Sequence, residues 1–472
     1  MPDQATLSHW KRRARVLTEG LLERVDELSV SDFPTATPNQ VIKFIQDFLA
    51  EILKEIDAAE SEPRLRSFCL AVLQLAQSLD WLDNAHTAQT PRGLVQVLRH
   101  LIDEISPGAR VVARPQAQYN YSIADLGSYF RCLVDDYIPD SRQHLFNEHL
   151  STPLKLISFP RIERDNLLAH TIFGHELGHP IASDYLGQEE ILDAYKVAQA
   201  DVQKQVVALV EHLPNLKDLS NDDKDRAKIS IFNTVLQVRR RAMEELISDA
   251  VGIFVFGPSA LFAMFELLWQ GNWDSVPSAG EWYPPSRLRI RLMLRLPEAT
   301  SAFAALWVTV GEDPFKQYTA ATRAFFEQAT SLAGKLTDDV SLKADPVLKI
   351  AYEWMETSLP AAIEFAREQT RSVVIGTEPS FSQLSRLIQR LELGIPQNEV
   401  GEPNASQVVD YRAALLAAWM FKLRGVSPKT GEALSSKEED HVHKRTMRAI
   451  EYIFLQNEYG AHMAAVDRSN TA

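Results

Sequence analysis

The segment His175-Glu176-Leu177-Gly178-His179 sets two imidazoles four residues apart with a carboxylate between them. On an α-helix, positions i and i+4 share a face, so both rings can reach one metal ion. The glutamate then stands beside that ion, where it can take a proton from a metal-bound water. Two histidines do not complete such a centre, because a catalytic zinc takes three protein ligands and keeps a fourth position open.

A third ligand is offered by Arg241-Ala242-Met243-Glu244-Glu245-Leu246-Ile247-Ser248-Asp249-Ala250. The stretch belongs to a helical run expected from about Lys224 to Phe256 and ended by Gly257-Pro258. Glu245 and Asp249 are at i and i+4, hence on one face. An aspartate one turn after a ligating glutamate can accept the free ring N–H of a ligand histidine and fix its tautomer. Glu244 is the competing ligand, and the aspartate register favours Glu245. The blander alternatives are a pair of hydrogen-bonded core histidines and a helix-surface pair between Glu245 and Arg241.

H-E-x-x-H followed by E-x-x-x-D resembles the gluzincin zinc metallopeptidases, and Glu245-Leu246-Ile247-Ser248-Asp249 fits their E-x-x-S-D form. The long gap between His179 and Glu245, with arginines before the glutamate, looks most like the CAAX-prenyl endopeptidase and heat-shock membrane peptidase branch. That branch adds His-Pro-Pro with an arginine a turn later. Here Tyr283-Pro284-Pro285-Ser286-Arg287-Leu288-Arg289 keeps the prolines and Arg289 but has tyrosine in place of the histidine. The resemblance covers three short segments within about residues 150–295. It implies a zincin-like core, a Zn2+ cofactor, and hydrolysis of peptide bonds through a zinc-bound water with Glu176 as general base. It also implies an oxyanion donor at Tyr283, with Arg287 or Arg289 supplying charge. The other reading of Tyr283 is an ordinary aromatic beside Trp282, and of Arg287, Arg291 and Arg295 a solvated helix face.

The elements expected to carry these residues are mostly helical. Pro153–Phe159 reads as a short strand closed by Pro160, and its edge could pair with an extended substrate. Asn166–Gly174 then runs helically into the motif. Pro180 lacks the N–H that would bond back to Glu176 and disfavours α geometry before it, so the metal helix is expected to end or kink at His179. Arg110–Ala113 and Gln118–Ile123 read as strands that could join the one near Ile157. Pro34–Asn39 reads as a linker. Ala250–Phe265 is read as a core helix, a break at Gly257-Pro258 and a second helix. The fold class expected is α+β, predominantly α-helical, with a small sheet in the core. The division is an N-terminal helical region (1–108), a metallopeptidase core (109–298) and a C-terminal helical region (299–472).

Composition narrows the function classes. The chain has 472 residues, 45% of them hydrophobic, enough to bury a large core. Its formal net charge of −14 argues against a general nucleic-acid binder. Its two cysteines, Cys69 and Cys132, form neither a metal spacing nor a disulfide framework, which suits a reducing compartment. With no apolar leader near its start and no span of about 20 apolar residues, a cytoplasmic location without a membrane span is expected. The expected partner is a protein or peptide substrate, and the oligomeric state is left open. The sequence favours a regulated enzyme acting on one intracellular partner over an open digestive protease. The reading from another class is a non-catalytic helical binding or scaffold protein with a structural zinc site, against which the intact Glu176 counts.

Overall fold

The computed structural model describes residues 4–216, 220–269, 278, 280–297, 320, 324, 345–373, 379–401 and 407–471. The chain is predominantly helical with two small sheets and divides into two compact units, Met1–Asp165 and Asn166–Ala472. The helical pattern expected beyond residue 300 falls outside the described residues as far as 344, apart from two isolated helical positions.

The first unit opens with α1 (Gln4–Leu28), α2 (Thr37–Ala58), α3 (Glu62–Asn84) and α4 (Arg92–Ile105). The proposed linker at Pro34–Asn39 is shorter than expected. Pro38 sits in the first turn of α2, where a proline's missing N–H costs nothing and its fixed φ suits the helix. Apolar residues recur at helical spacing in α2, and Val41, Ile45, Phe48 and Ile52 are buried. A three-stranded sheet follows, with β1 (Arg110–Gln116), β2 (Ser122–Asp125) and β3 (Leu154–Pro160). Between β2 and β3 lies α5 (Leu126–Tyr137), capped by the Asp125 side chain.

The strand order is β1-β3-β2. β3 pairs in parallel with β1 (Val112 opposite Leu156) and antiparallel with β2 (Ile123 opposite Ile157). β3 therefore has no free edge to offer a substrate, contrary to the expectation from sequence. The reason lies in its composition, since all but one of its residues are buried, as befits a strand covered on both faces.

The second unit contains every candidate metal residue. A 3-10 turn (Ala169–Ile172) leads into α6 (Phe173–Glu189). Then come α7 (Asp193–His212), α8 (Asn221–Phe256), α9 (Pro258–Trp269), α10 (Ser286–Arg295), α11 (Pro346–Gln369), α12 (Phe381–Glu392), α13 (Tyr411–Arg424) and α14 (Ser436–Thr471). A two-stranded sheet pairs Glu399–Val400 with Gln407–Val408. α8 starts where the Ser220 hydroxyl caps the Asp223 N–H, and stops at Gly257 with φ of 57°. The Gly257-Pro258 break thus separates α8 from α9 as the sequence indicates. No described helix is long and apolar enough to cross a membrane.

α6 is the exception to local rules. It passes through Pro180 and continues to Glu189, so the helix does not end at His179. One missing hydrogen bond is outweighed by packing, because α6 lies against α8 along its length and also touches α11. Beyond the proline, Ile181, Ala182 and Leu186 are buried. Glu189, at the end of α6, bonds the Arg239 guanidinium of α8 at 2.6 Å, and Arg239 also reaches Ser358 of α11 at 2.9 Å. Such tertiary anchors override a weak local preference.

Candidate metal centre

The centre is built where α6 and α8 approach closely. Gly174 and Gly178 on α6 face Gly252 and Ser248 on α8. A Cβ built on Gly174 would stand 2.9 Å from the Gly252 Cα, and one on Gly178 would overlap the Ser248 backbone. Glycine at these two places is what lets the backbones meet. The spacing Gly174-x-x-x-Gly178 was visible in the sequence, overlapping the histidine motif, but its packing role was not drawn from it.

This approach brings His175, His179 and Glu245 together, with one ligand atom from each lying within 4.8 Å of one another. The two rings are 4.8 Å apart and nearly perpendicular, at 84°. His175 is buried, with its Nε2 3.4 Å from Glu245 Oε2 and its Nδ1 2.8 Å from Asp249 Oδ1. Asp249 is fully buried. The donor set of two imidazoles and one carboxylate is one that zinc takes in catalytic sites, where a fourth position is left to water.

Electrostatics around the donors follow from burial and pairing. Burial pushes the His175 imidazole down, but hydrogen bonds to Asp249 and Glu245 outweigh it and raise its pKa to about 9. Burial pushes Asp249 up, while the Arg289 guanidinium and His175 hold it at about 2. Glu245 is likewise pushed up by burial and brought below the usual carboxylate range by His175 and Arg289. Glu176 goes the other way, since burial raises its carboxyl above the usual range against the pull of the two histidines. Its side chain has no hydrogen-bond or ion-pair partner among the described residues, so its carboxylate is available for a proton.

Arg289 is bonded to the carboxylates of the cluster. Its Nε and Nη2 each lie 2.8 Å from an Asp249 oxygen, and Nη2 is 3.3 Å from Glu245 Oε2. Pro284-Pro285 starts α10 and puts this arginine in its first turn, buried. Arg287, two residues earlier, is half-buried. The supposed solvated row is mixed, because Arg291 is buried while Arg295 is exposed.

Three residues, Glu244, Ser248 and Arg241, take parts that the sequence did not assign. Glu244 Oε1 is 3.4 Å from His179 Nδ1, and the Ser248 hydroxyl is 3.3 Å from the same nitrogen. The His179 hydrogen bond, against burial and with help from Arg241, holds Glu244 at about 2. Arg241 spans both glutamates, with Nη1 2.9 Å from Glu244 Oε2 and Nη2 3.0 Å from Glu245 Oε1. Its guanidinium lies 4.2 Å over the ring of Tyr283. Tyr283 is 44% exposed and thus stands at the rim of the cluster, one residue from the centre through Arg241. The i, i+3 and i, i+4 spacings of Arg241 to Glu244 and Glu245 were legible. That both pairs would close on the donors was not.

No protein-family model, no curated protein and no solved structure matches the chain.

Proposed function

We propose that this chain is a zinc metallopeptidase of the gluzincin type, with a zincin-like core. His175, His179 and Glu245 would hold the metal, and Glu176 would be the general base. The observation that carries the reading is the convergence of two imidazoles and a carboxylate within 4.8 Å, with a glutamate between the histidines that has no hydrogen-bond or ion-pair partner among the described residues.

Zinc held there would act as a Lewis acid toward a peptide carbonyl and a water at the open position. The protein's own groups do the rest. Asp249 accepts from His175 Nδ1 and leaves Nε2 for the donor cluster, while Glu244 and Ser248 do the same for His179. Arg289 fixes Asp249 and Glu245, and Arg241 fixes Glu245 from the rim. The Glu176 carboxylate, made more basic by burial, takes the proton of the attacking water and passes it to the departing amine nitrogen. Tyr283 is the donor proposed for the developing oxyanion. The substrate would be a protein or peptide, and a single intracellular partner fits better than broad digestion.

The test is metal content beside hydrolysis. We expect close to one zinc per chain by elemental analysis, lost in His175→Ala/His179→Ala and weakened in Glu245→Ala. Glu176→Gln should keep its zinc while peptide hydrolysis falls by about a hundred- to ten-thousand-fold. Protein purified without chelator and free of transition metal would overturn the reading. Bound zinc with no hydrolysis by the wild type would leave the structural-site alternative instead.

A further inference from the structure

Beside the donor cluster, a cleft of about 520 Å³ is walled by Gln237 and Arg241 of α8 and by Gly280, Glu281, Trp282 and Tyr283. One wall is shared with the centre, since Arg241 touches Glu245 at 3.0 Å. We propose that this cleft is the pocket that takes a basic side chain, lysine or arginine, of the substrate. It deepens the metallopeptidase reading and rests on it for the word substrate, but the pocket's preference stands on its own chemistry.

Three observations point to a cation. First, the positive charge of Arg241 in the cleft wall is already engaged by Glu244 and Glu245 at 2.9 and 3.0 Å, so it does not stand free against a cation. Second, the exposed Glu281 carboxylate has no hydrogen-bond or ion-pair partner among the described residues, so among them its negative charge is unanswered. Third, Trp282 and Tyr283 supply aromatic faces, on which a guanidinium or ammonium is attracted by the ring quadrupole. Arg241 already uses Tyr283 in this way. The backbone supports a built feature. Trp282 has φ of 53°, and it is the one non-glycine residue at positive φ among those described. A bulky residue held in that region stores strain of a kind that clusters at ligand sites.

The cleft's size suits one long side chain with its hydration. An acidic side chain would meet the Glu281 carboxylate and be repelled. An aliphatic one would gain nothing from the Glu281 carboxylate.

The test reads binding apart from turnover. Three blocked peptides, identical but for one central residue (arginine, citrulline or glutamate), are titrated into the full-length Glu176→Gln protein by calorimetry, with and without zinc. We expect the arginine peptide to bind at least about tenfold more tightly than the citrulline peptide, with glutamate weakest. Glu281→Gln should erase the arginine preference, and Glu281→Lys should reverse it toward glutamate. Glu281 is exposed, so both variants should keep the wild-type circular dichroism and unfolding temperature. Equal binding of arginine and citrulline peptides, no measurable binding of any, or an arginine preference that survives Glu281→Gln would overturn the pocket. Failure of the peptidase reading looks different, with an arginine preference that persists while wild-type protein binds no zinc and cleaves nothing.

Discussion

Arg289 and Asp249 face each other with two parallel contacts of 2.8 Å, deep in the second unit and 40 residues apart in sequence. Asp249 in turn holds His175 Nδ1. The arginine therefore acts on the donor cluster through the aspartate, and the cluster depends on a buried ion pair for its shape. Removing one partner leaves the other charged and buried. Arg289→Ala should cost about 3–5 kcal/mol of stability and lower zinc affinity with it. Arg289→Lys keeps the charge but loses the fork, so it should recover part of the stability. Chemical denaturation of the three proteins checks this, and an Arg289→Ala variant as stable as wild type would show the pair is not needed.

Gly178 offers a test of the helix approach. Its Cβ position is filled by the Ser248 backbone of α8, so Gly178→Ala must push α6 and α8 apart. Overpacking of this kind costs about 1–3 kcal/mol. Because His179 lies on α6 and Glu245 on α8, zinc affinity should fall as well. Gly187→Ala is the control, since nothing lies within 4 Å of its Cβ position. Thermal unfolding and zinc titration of both variants would separate the local helix effect from the loss of approach.

Tyr283→Phe isolates the phenolic hydroxyl. The ring that Arg241 stacks on is kept, and only the donor is lost. With the hydroxyl serving the oxyanion, kcat should fall by about ten- to a thousand-fold with little change in KM and none in zinc content. Unchanged kcat would make Tyr283 a platform for Arg241 alone. Arg289, bonded to Asp249 and Glu245, would not be the replacement donor, which leaves Arg287 to be tested next.

In the metal-free protein, His175 and Asp249 set a pH window for stability. His175 is raised from the ordinary 6.5 to about 9. Its contribution is complete below about 6.5 and is lost as the pH rises through about 9. Asp249 is lowered from the ordinary 3.8 to about 2. Its contribution is present above about 3.8 and is lost as the pH falls toward 2. Wild type in chelator should therefore exceed Asp249→Asn in unfolding temperature most clearly between about pH 4 and 6.5. The gap should narrow on either side. A gap that stays constant up to about pH 10 would show that the imidazolium is not part of the pair.

What the sequence determined by itself is what lies within one element. Four-residue spacing put His175 and His179 on one face of α6, and Glu245 and Asp249 on one face of α8, because helix periodicity is local. Gly257-Pro258 ended α8 for the same reason. The strands near Val112 and Ile157 were legible from their apolar, β-branched residues, the one expected at Gln118–Ile123 lies instead at Ser122–Asp125, and which of the three would be the middle one was not legible. That depends on which strand can be covered on both faces.

Tertiary structure decided the rest. Pro180 argued locally for a helix end, and burial of Ile181, Ala182 and Leu186 with the Glu189–Arg239 pair carried α6 past it. The contacts of Glu244 with His179 and of Arg289 with Asp249 join residues 65 and 40 apart in the chain. No periodicity connects such residues. Glu244 and His179 meet because Gly174 and Gly178 let α6 and α8 touch, Arg289 reaches Asp249 because α10 packs against α8, and both contacts exist only once the helices have packed.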